Sequence, residues 1–179
     1  MNKKFLYFIA ALSTGLFFSC ISDEETSEAI FEEDLRKINN FIQATDLTVT
    51  RKQEVGGTGI VLLFTEENPE GEAAVEGDSL WVNYTGYLLD GGVFDTSIEQ
   101  TARDNNLYNA SRDYEPYPVK LAYTSVISGW HYALSQMREG EKATALIPSS
   151  YAYGPYGQGS IGPNTVLAFD LELVEVSKP

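Results

Sequence analysis

The 179-residue chain holds one histidine, His131, and one cysteine, Cys20. These two residues bound the chemistry available. A Ser-His-Asp relay would have to run through His131, and no Gly-x-Ser-x-Gly elbow accompanies it. Cys/His zinc spacing is absent, so neither a metal nor another cofactor is implied. No glycine-rich loop precedes a helix to cradle a phosphate. The 26 acidic residues allow carboxylate pairs, but their spacing singles out none. The unusual feature is a run of tyrosines. The stretch from Ile147 to Pro163, IPSSYAYGPYGQGSIGP, has three tyrosines, four glycines, three prolines and no charge. Gly and Pro mark it as a loop. Loops usually face water, so Tyr151, Tyr153, Tyr156 and Ile161 either plug a core or line something that binds.

The elements around this loop read as short strands. Leu47–Lys52 and Thr58–Thr65 are extended runs broken by the turn at Glu66–Gly71. In Ser79–Leu89 the residues Leu80, Val82 and Tyr84 share one face. Asp90-Gly91-Gly92 is a hairpin turn, and Val93-Phe94-Asp95 continues beyond it. Residues 98–117 are polar and read as a long loop. Val119–Ala122 is a short strand and Ser128–Met137 a short helix, with Trp130, Ala133, Leu134 and Met137 on one side. Glu141–Ile147 is a strand. In the last, Val166–Val176, Leu167, Phe169, Leu171 and Leu173 alternate with Asp170 and Glu172, which indicates a sheet with one wet face. The pattern predicts an α+β domain, an antiparallel sheet wrapped over one short helix.

The N-terminus reads differently. Lys3 and Lys4 precede a mostly apolar run, Phe5–Phe18, that is short for a membrane span and reads as an export signal. Phe17-Phe18-Ser19-Cys20 resembles a bacterial lipobox, which implies lipidation of Cys20 and removal of residues 1–19. A lone cysteine offers no internal disulfide, so packing must hold the fold. Residues 20–29 are expected to be an acidic tether. The block Ser22-Asp23-Glu24-Glu25 is either a solvated tether or, as it resembles, the acidic signal that sends some Bacteroidetes lipoproteins to the cell surface. Phe31, Leu35, Ile38 and Ile42 form one face of a helix over 28–44. That helix and a linker occupy residues 30–57, and residues 58–179 form the main domain. The formal charge of −14 repels phosphate and disfavours nucleic acid as a partner.

Five blocks, in order, carry a resemblance. They are Val82-Asn83-Tyr84-Thr85-Gly86-Tyr87, Asp90-Gly91-Gly92-Val93-Phe94-Asp95-Thr96-Ser97, Val126-Ile127-Ser128-Gly129-Trp130, Ile147-Pro148-Ser149-Ser150-Tyr151-Ala152-Tyr153-Gly154, and Ile161-Gly162-Pro163-Asn164 leading to Leu167–Leu173. Together they closely resemble the FK506-binding-protein (FKBP) family of peptidyl-prolyl cis-trans isomerases over residues 58–176. The resemblance implies a twisted antiparallel sheet of five or six strands around one short helix, here with an N-terminal helical extension. It implies a catalytic pocket of Tyr84, Phe94, Asp95, Trp130, Tyr153 and Phe169, with Leu121, Val126, Ile127 and Ile161 binding substrate. The Trp130 indole would floor the site, the Ile127 amide would hold a ligand carbonyl, and the Tyr153 hydroxyl would point at the ligand.

The implied substrates are proline-containing polypeptides, with an FK506-like macrolide as a further ligand. The implied setting is the cell envelope, most simply the outer membrane, through the lipid anchor. The competing reading is a weakly catalytic binding module or chaperone lipoprotein, for instance in a gliding-motility or envelope assembly. The chain departs from the family pattern in places. Val119 and Leu121 stand where an aromatic pair is common. Gln100 stands where an arginine usually pairs with the Phe-Asp acid, which leaves Arg103 or Arg112 for that place. No pocket block lies in the N-terminal helix, so deleting residues 20–44 is expected to leave turnover of a small peptide nearly intact.

Overall fold

Alternation of apolar and polar side chains runs along most of the extended segments, and it decides how they assemble. The computed structural model describes residues 23–179, with side chains from Thr26 onward. The chain runs α1 (Asp23–Ala44), β1 (Arg51–Val55), β2 (Ile60–Glu66), β3 (Ser79–Leu88), β4 (Val93–Thr96), α2 (Glu99–Asp104), β5 (Tyr117–Lys120), α3 (Ser128–Leu134), β6 (Lys142–Ile147) and β7 (Leu167–Ser177). The described strands form one antiparallel sheet of seven, ordered β1-β2-β6-β7-β3-β4, with β5 also paired to β3. The strand beyond the expected five or six is explained by β1, in the segment expected to be linker. It pairs with β2 through Arg51↔Phe64 to Val55↔Ile60.

β3 organises the half of the sheet that bears on function. One edge pairs with β7 along its whole length. The other is shared end to end, by β5 at Ser79–Val82 and by β4 at Thr85–Tyr87. Pro118 lies in β5, opposite Trp81. An edge strand tolerates a proline because its missing N–H leaves no inner ladder bond unmade.

Two apolar clusters lie on opposite faces of the sheet. The larger gathers Leu62, Phe64, Leu80, Val82, Ala145, Leu167, Phe169 and Leu171 with Trp130, Ala133 and Leu134 of α3. Gly129 lets α3 come this close. A Cβ there would lie 2.4 Å from Ile147 and 3.0 Å from the Tyr151 carbonyl. The smaller joins Ile38 of α1 to Val61, Leu63, Leu146, Val166 and Ala168, with Phe41 and Ile42 beside them. The sheet is therefore covered on both sides near β2 and β6, and the wet face expected along β7 begins only at Asp170.

α1 starts earlier than the 28–44 expected, so residues 23–29 are helical rather than a tether. Alanine and glutamate favour helix, and acids suit its first turn. Residues 1–19 and Cys20, the export signal and lipidation site of the sequence reading, lie outside the described residues. The 98–117 loop is also more ordered than its polarity suggests. α2 forms within it, where Arg103 pairs with Glu99 one turn back and its guanidinium lies 3.5 Å from the Tyr108 ring centre.

Candidate active site

Trp130 is the centre of the arrangement. α3 drives its indole into the larger cluster, where it is buried. Aromatic edges surround it. The Tyr84 ring lies 5.0 Å away at 77°, Phe169 5.4 Å away at 87°, and Tyr117 6.3 Å away at 84°. Phe94 meets Phe169 edge-on at 5.6 Å. Edge-to-face packing suits ring quadrupoles and holds such a floor rigid. Above it opens a cavity of about 240 Å³ lined by Tyr84, Phe94, Asp95, Tyr117, Ser125, Val126, Ile127, Trp130, Tyr153 and Phe169.

Of the sequence-derived site residues, Tyr84, Phe94, Asp95, Val126, Ile127, Trp130, Tyr153 and Phe169 meet around this one cavity. Leu121 and Ile161 do not line it. Both are buried in the cluster behind it. Leu121 sits in the turn after β5, where its amide donates to the Asp78 carbonyl at 2.9 Å. Tyr117 was missed. It lies two residues before Val119 on the same strand, hence on the same face, and it supplies an aromatic wall that Val119 and Leu121 do not. Ser125 was missed as well, and no signal in the sequence marks it.

One polar group faces the cavity from β4. The Tyr84 hydroxyl donates to Asp95 Oδ2 at 2.6 Å. Arg112 Nη1 donates to Asp95 Oδ1 at 2.5 Å, and Arg112 Nη2 donates to the Tyr84 oxygen at 2.8 Å. Arg112, not Arg103, therefore takes the place left by Gln100. Burial, and after it the neighbouring Asp95, raise the Tyr84 phenol well above its ordinary range. Burial lowers and the bonds to Asp95 and Tyr84 raise the Arg112 guanidinium, with a net upward shift. Tyr153 is raised too, by burial and by the charge of Asp95. All three shifts keep these groups in their ordinary protonated forms at neutral pH. Tyr84 is itself tied down, its amide donating to Ser97 Oγ at 2.9 Å and its carbonyl accepting from Thr96 Oγ1 at 2.8 Å.

Ile127 is the N-cap of α3. An N-cap amide lies outside the helical hydrogen-bond ladder, which suits it to a ligand carbonyl. His131 has a structural task. Its Nδ1 accepts from the Ala122 amide at 3.1 Å, which puts the proton on Nε2, 3.0 Å from the Thr124 carbonyl. It braces the turn between β5 and α3.

A rigid aromatic bowl with a few fixed hydrogen-bond groups, and no nucleophile paired to a base among its lining residues, is a shape suited to a small apolar ring. Comparison with known proteins says which class of protein carries it. Residues 70–174 match the model of the FKBP-type peptidyl-prolyl cis-trans isomerases. An FK506-binding protein of Neisseria meningitidis is 36% identical over 119 residues, covering 66% of this chain and 97% of that one. FK506-binding protein 1 of Kluyveromyces lactis is 36% identical over 102 residues, covering 56% and 78%. A crystal structure of a peptidyl-prolyl cis-trans isomerase from Pseudomonas syringae superposes with a TM-score of 0.61 at 29% identity, covering 85% of this chain and 96% of that one. The chain belongs to the FKBP-type peptidyl-prolyl cis-trans isomerase family, and it is an enzyme of that class.

Proposed function

We propose that this enzyme isomerises X-Pro bonds of exported polypeptides in the cell envelope, held there by a lipid on Cys20. The planar X-Pro amide is held by resonance behind a barrier of roughly 18–20 kcal/mol. Twisting it about C–N needs no bond to be made or broken. The Trp130 floor, with Phe94 and Phe169 as walls, takes the proline ring. Burying such a ring contributes on the order of 1.5–3 kcal/mol. The apolar surroundings disfavour the charge-separated planar amide relative to the twisted one. In this reading the Ile127 amide and the Tyr153 hydroxyl, both on residues lining the cavity, bond carbonyls flanking the twisted bond. Bonds realised only in the twisted state raise rate rather than mere affinity.

The observation that carries this reading is the cavity itself: an indole floor among aromatic edges, with Tyr84, Asp95 and Arg112 bonded to one another at its rim. The test is a protease-coupled proline-peptide assay on the full chain in detergent. Turnover well above the uncatalysed rate is expected. Binding of the peptide without turnover would instead favour a holding role in an envelope assembly. The same cavity is proposed to accept an FK506-like macrolide, since relatives carry that name. Competitive inhibition in the same assay checks this.

The envelope setting rests on sequence alone: the basic start, the apolar run Phe5–Phe18 and the lipobox-like residues before Cys20. The acidic residues that follow Cys20 support a lipoprotein of the Bacteroidetes type.

A further inference from the structure

The N-terminal helix reaches the active loop through one buried acid. Asp34 of α1 is 1% exposed. Its Oδ2 accepts from the Ser149 amide at 2.8 Å and from Ser149 Oγ at 2.6 Å, across 115 residues of sequence. Ser149 opens the 3₁₀ turn Ser149–Tyr151, and two residues beyond that turn Tyr153 lines the cavity. The opposite side of this segment is held less tightly by hydrogen bonds. Ser128 Oγ reaches the Tyr151 carbonyl at 3.4 Å, and Gly129 packs beneath it.

A carboxylate is a costly choice at this position. Its neighbours on the same helix face, Phe31, Leu35 and Ile38, are apolar. Asp34 Oδ1 has no hydrogen-bond partner among the described residues, and the nearest cation is Lys37 Nζ at 3.9 Å. Packing alone would be served as well or better by an aliphatic side chain, since a buried charge loses its hydration. What an aliphatic residue cannot do is accept two hydrogen bonds from Ser149. We infer that Asp34 is a positioning residue for the isomerase reaction, fixing the start of the 149–153 segment and through it the placement of Tyr153. The inference rests on the isomerase activity of the cavity. It replaces the expectation that the helix is dispensable for turnover.

The experiment compares four single variants of the full chain in the coupled peptide assay, at a temperature where circular dichroism shows each one folded. Asp34→Ala should lower kcat/KM roughly three- to tenfold, the scale of one or two lost hydrogen bonds. Ser149→Ala, which loses only the hydroxyl bond, should lower it less. Asp34→Asn keeps an oxygen acceptor of the same shape and should restore most of the activity. Ile38→Ala weakens the same helix–sheet contact without touching the loop, and should leave kcat/KM near wild type. Amide exchange at Tyr151 and Ala152 should quicken in Asp34→Ala and not in Ile38→Ala. If Asp34→Ala is too unstable to assay, Ser149→Ala against Ile38→Ala decides alone. Equal losses in Asp34→Ala and Ile38→Ala, or a folded Asp34→Ala variant with wild-type kcat/KM, would overturn the inference. Wild-type turnover in the same assay separates this outcome from failure of the isomerase reading itself.

Discussion

Gly86 offers the sharpest test of how the pocket is built. It lies on β3 on the same face as Tyr84, opposite Asp95 on one side and Phe169 on the other. A Cβ placed there would stand 2.6 and 2.7 Å from Phe94 ring carbons and 2.7 Å from Phe169. Carbon atoms prefer about 3.5–4.0 Å, so both rings must retreat by roughly 1 Å. Both rings line the cavity, so their retreat takes up its space. Gly86→Ala should therefore narrow the site from two walls at once, without altering any polar group. Overpacking of this kind costs about 1–3 kcal/mol of stability. If half of the proline-ring burial is lost, about 0.8–1.5 kcal/mol leaves the transition state, or roughly a 4- to 13-fold drop in kcat/KM. Gly56→Ala is the matched control, because a Cβ there meets nothing within 4 Å. The assay is the coupled peptide reaction, with urea unfolding to establish that the variant is native. A folded Gly86→Ala enzyme within twofold of wild-type kcat/KM would refute the claim that these two rings shape the site.

Other outcomes follow from the polar rim and the termini. The Tyr84 phenol is raised by folding, so the unfolded chain loses its proton first as pH climbs past the ordinary value of about 10. Its contribution to stability is thus whole below that pH and is lost above it, with a limiting slope of about 1.4 kcal/mol per pH unit. Urea unfolding between pH 8 and 11 should show a shallower alkaline fall in Tyr84→Phe, and an unchanged fall would contradict the burial argument. Arg112→Ala removes a half-exposed ion pair to Asp95; about 0.2–1 kcal/mol is at stake, so kcat/KM should fall by fivefold at most and depend less on salt. Phe94→Ala should cost more activity than Asp95→Ala, because it removes pocket wall, and the reverse ranking would point to acid–base chemistry. Cys20→Ala should abolish lipid labelling and move the protein out of the membrane fraction; unchanged partitioning would remove the lipid anchor from the proposal.

Much of the cavity was legible because its residues sit in the ordered blocks that carry the resemblance to the FKBP family. Tyr84 stands in a strand with strict alternation, Phe94 and Asp95 follow a hairpin turn, and Trp130 and Tyr153 lie in short ordered blocks. The residues missed lie where local patterns carry no such mark. Tyr117 is followed by Pro118, which hides the start of an edge strand. Arg112 lies 17 residues beyond Asp95 in a polar stretch, where either of two arginines fitted. α2 is polar throughout apart from Ala102 and shows no helical stripe. Asp34 is one acid among several on an acidic helix, and nothing in its spacing sets it apart from solvated neighbours.

The sequence by itself determined the class of fold and the strand and helix that carry the pocket. These follow from side-chain periodicity and composition, which act over a few residues. Only the tertiary structure decided that Leu121 and Ile161 lie behind the cavity and Tyr117 on it, that Arg112 closes on Asp95, and that Asp34 grips Ser149. Each is a contact between segments distant in sequence. Its existence depends on how the sheet curls and on which face each helix covers, and no local propensity encodes that.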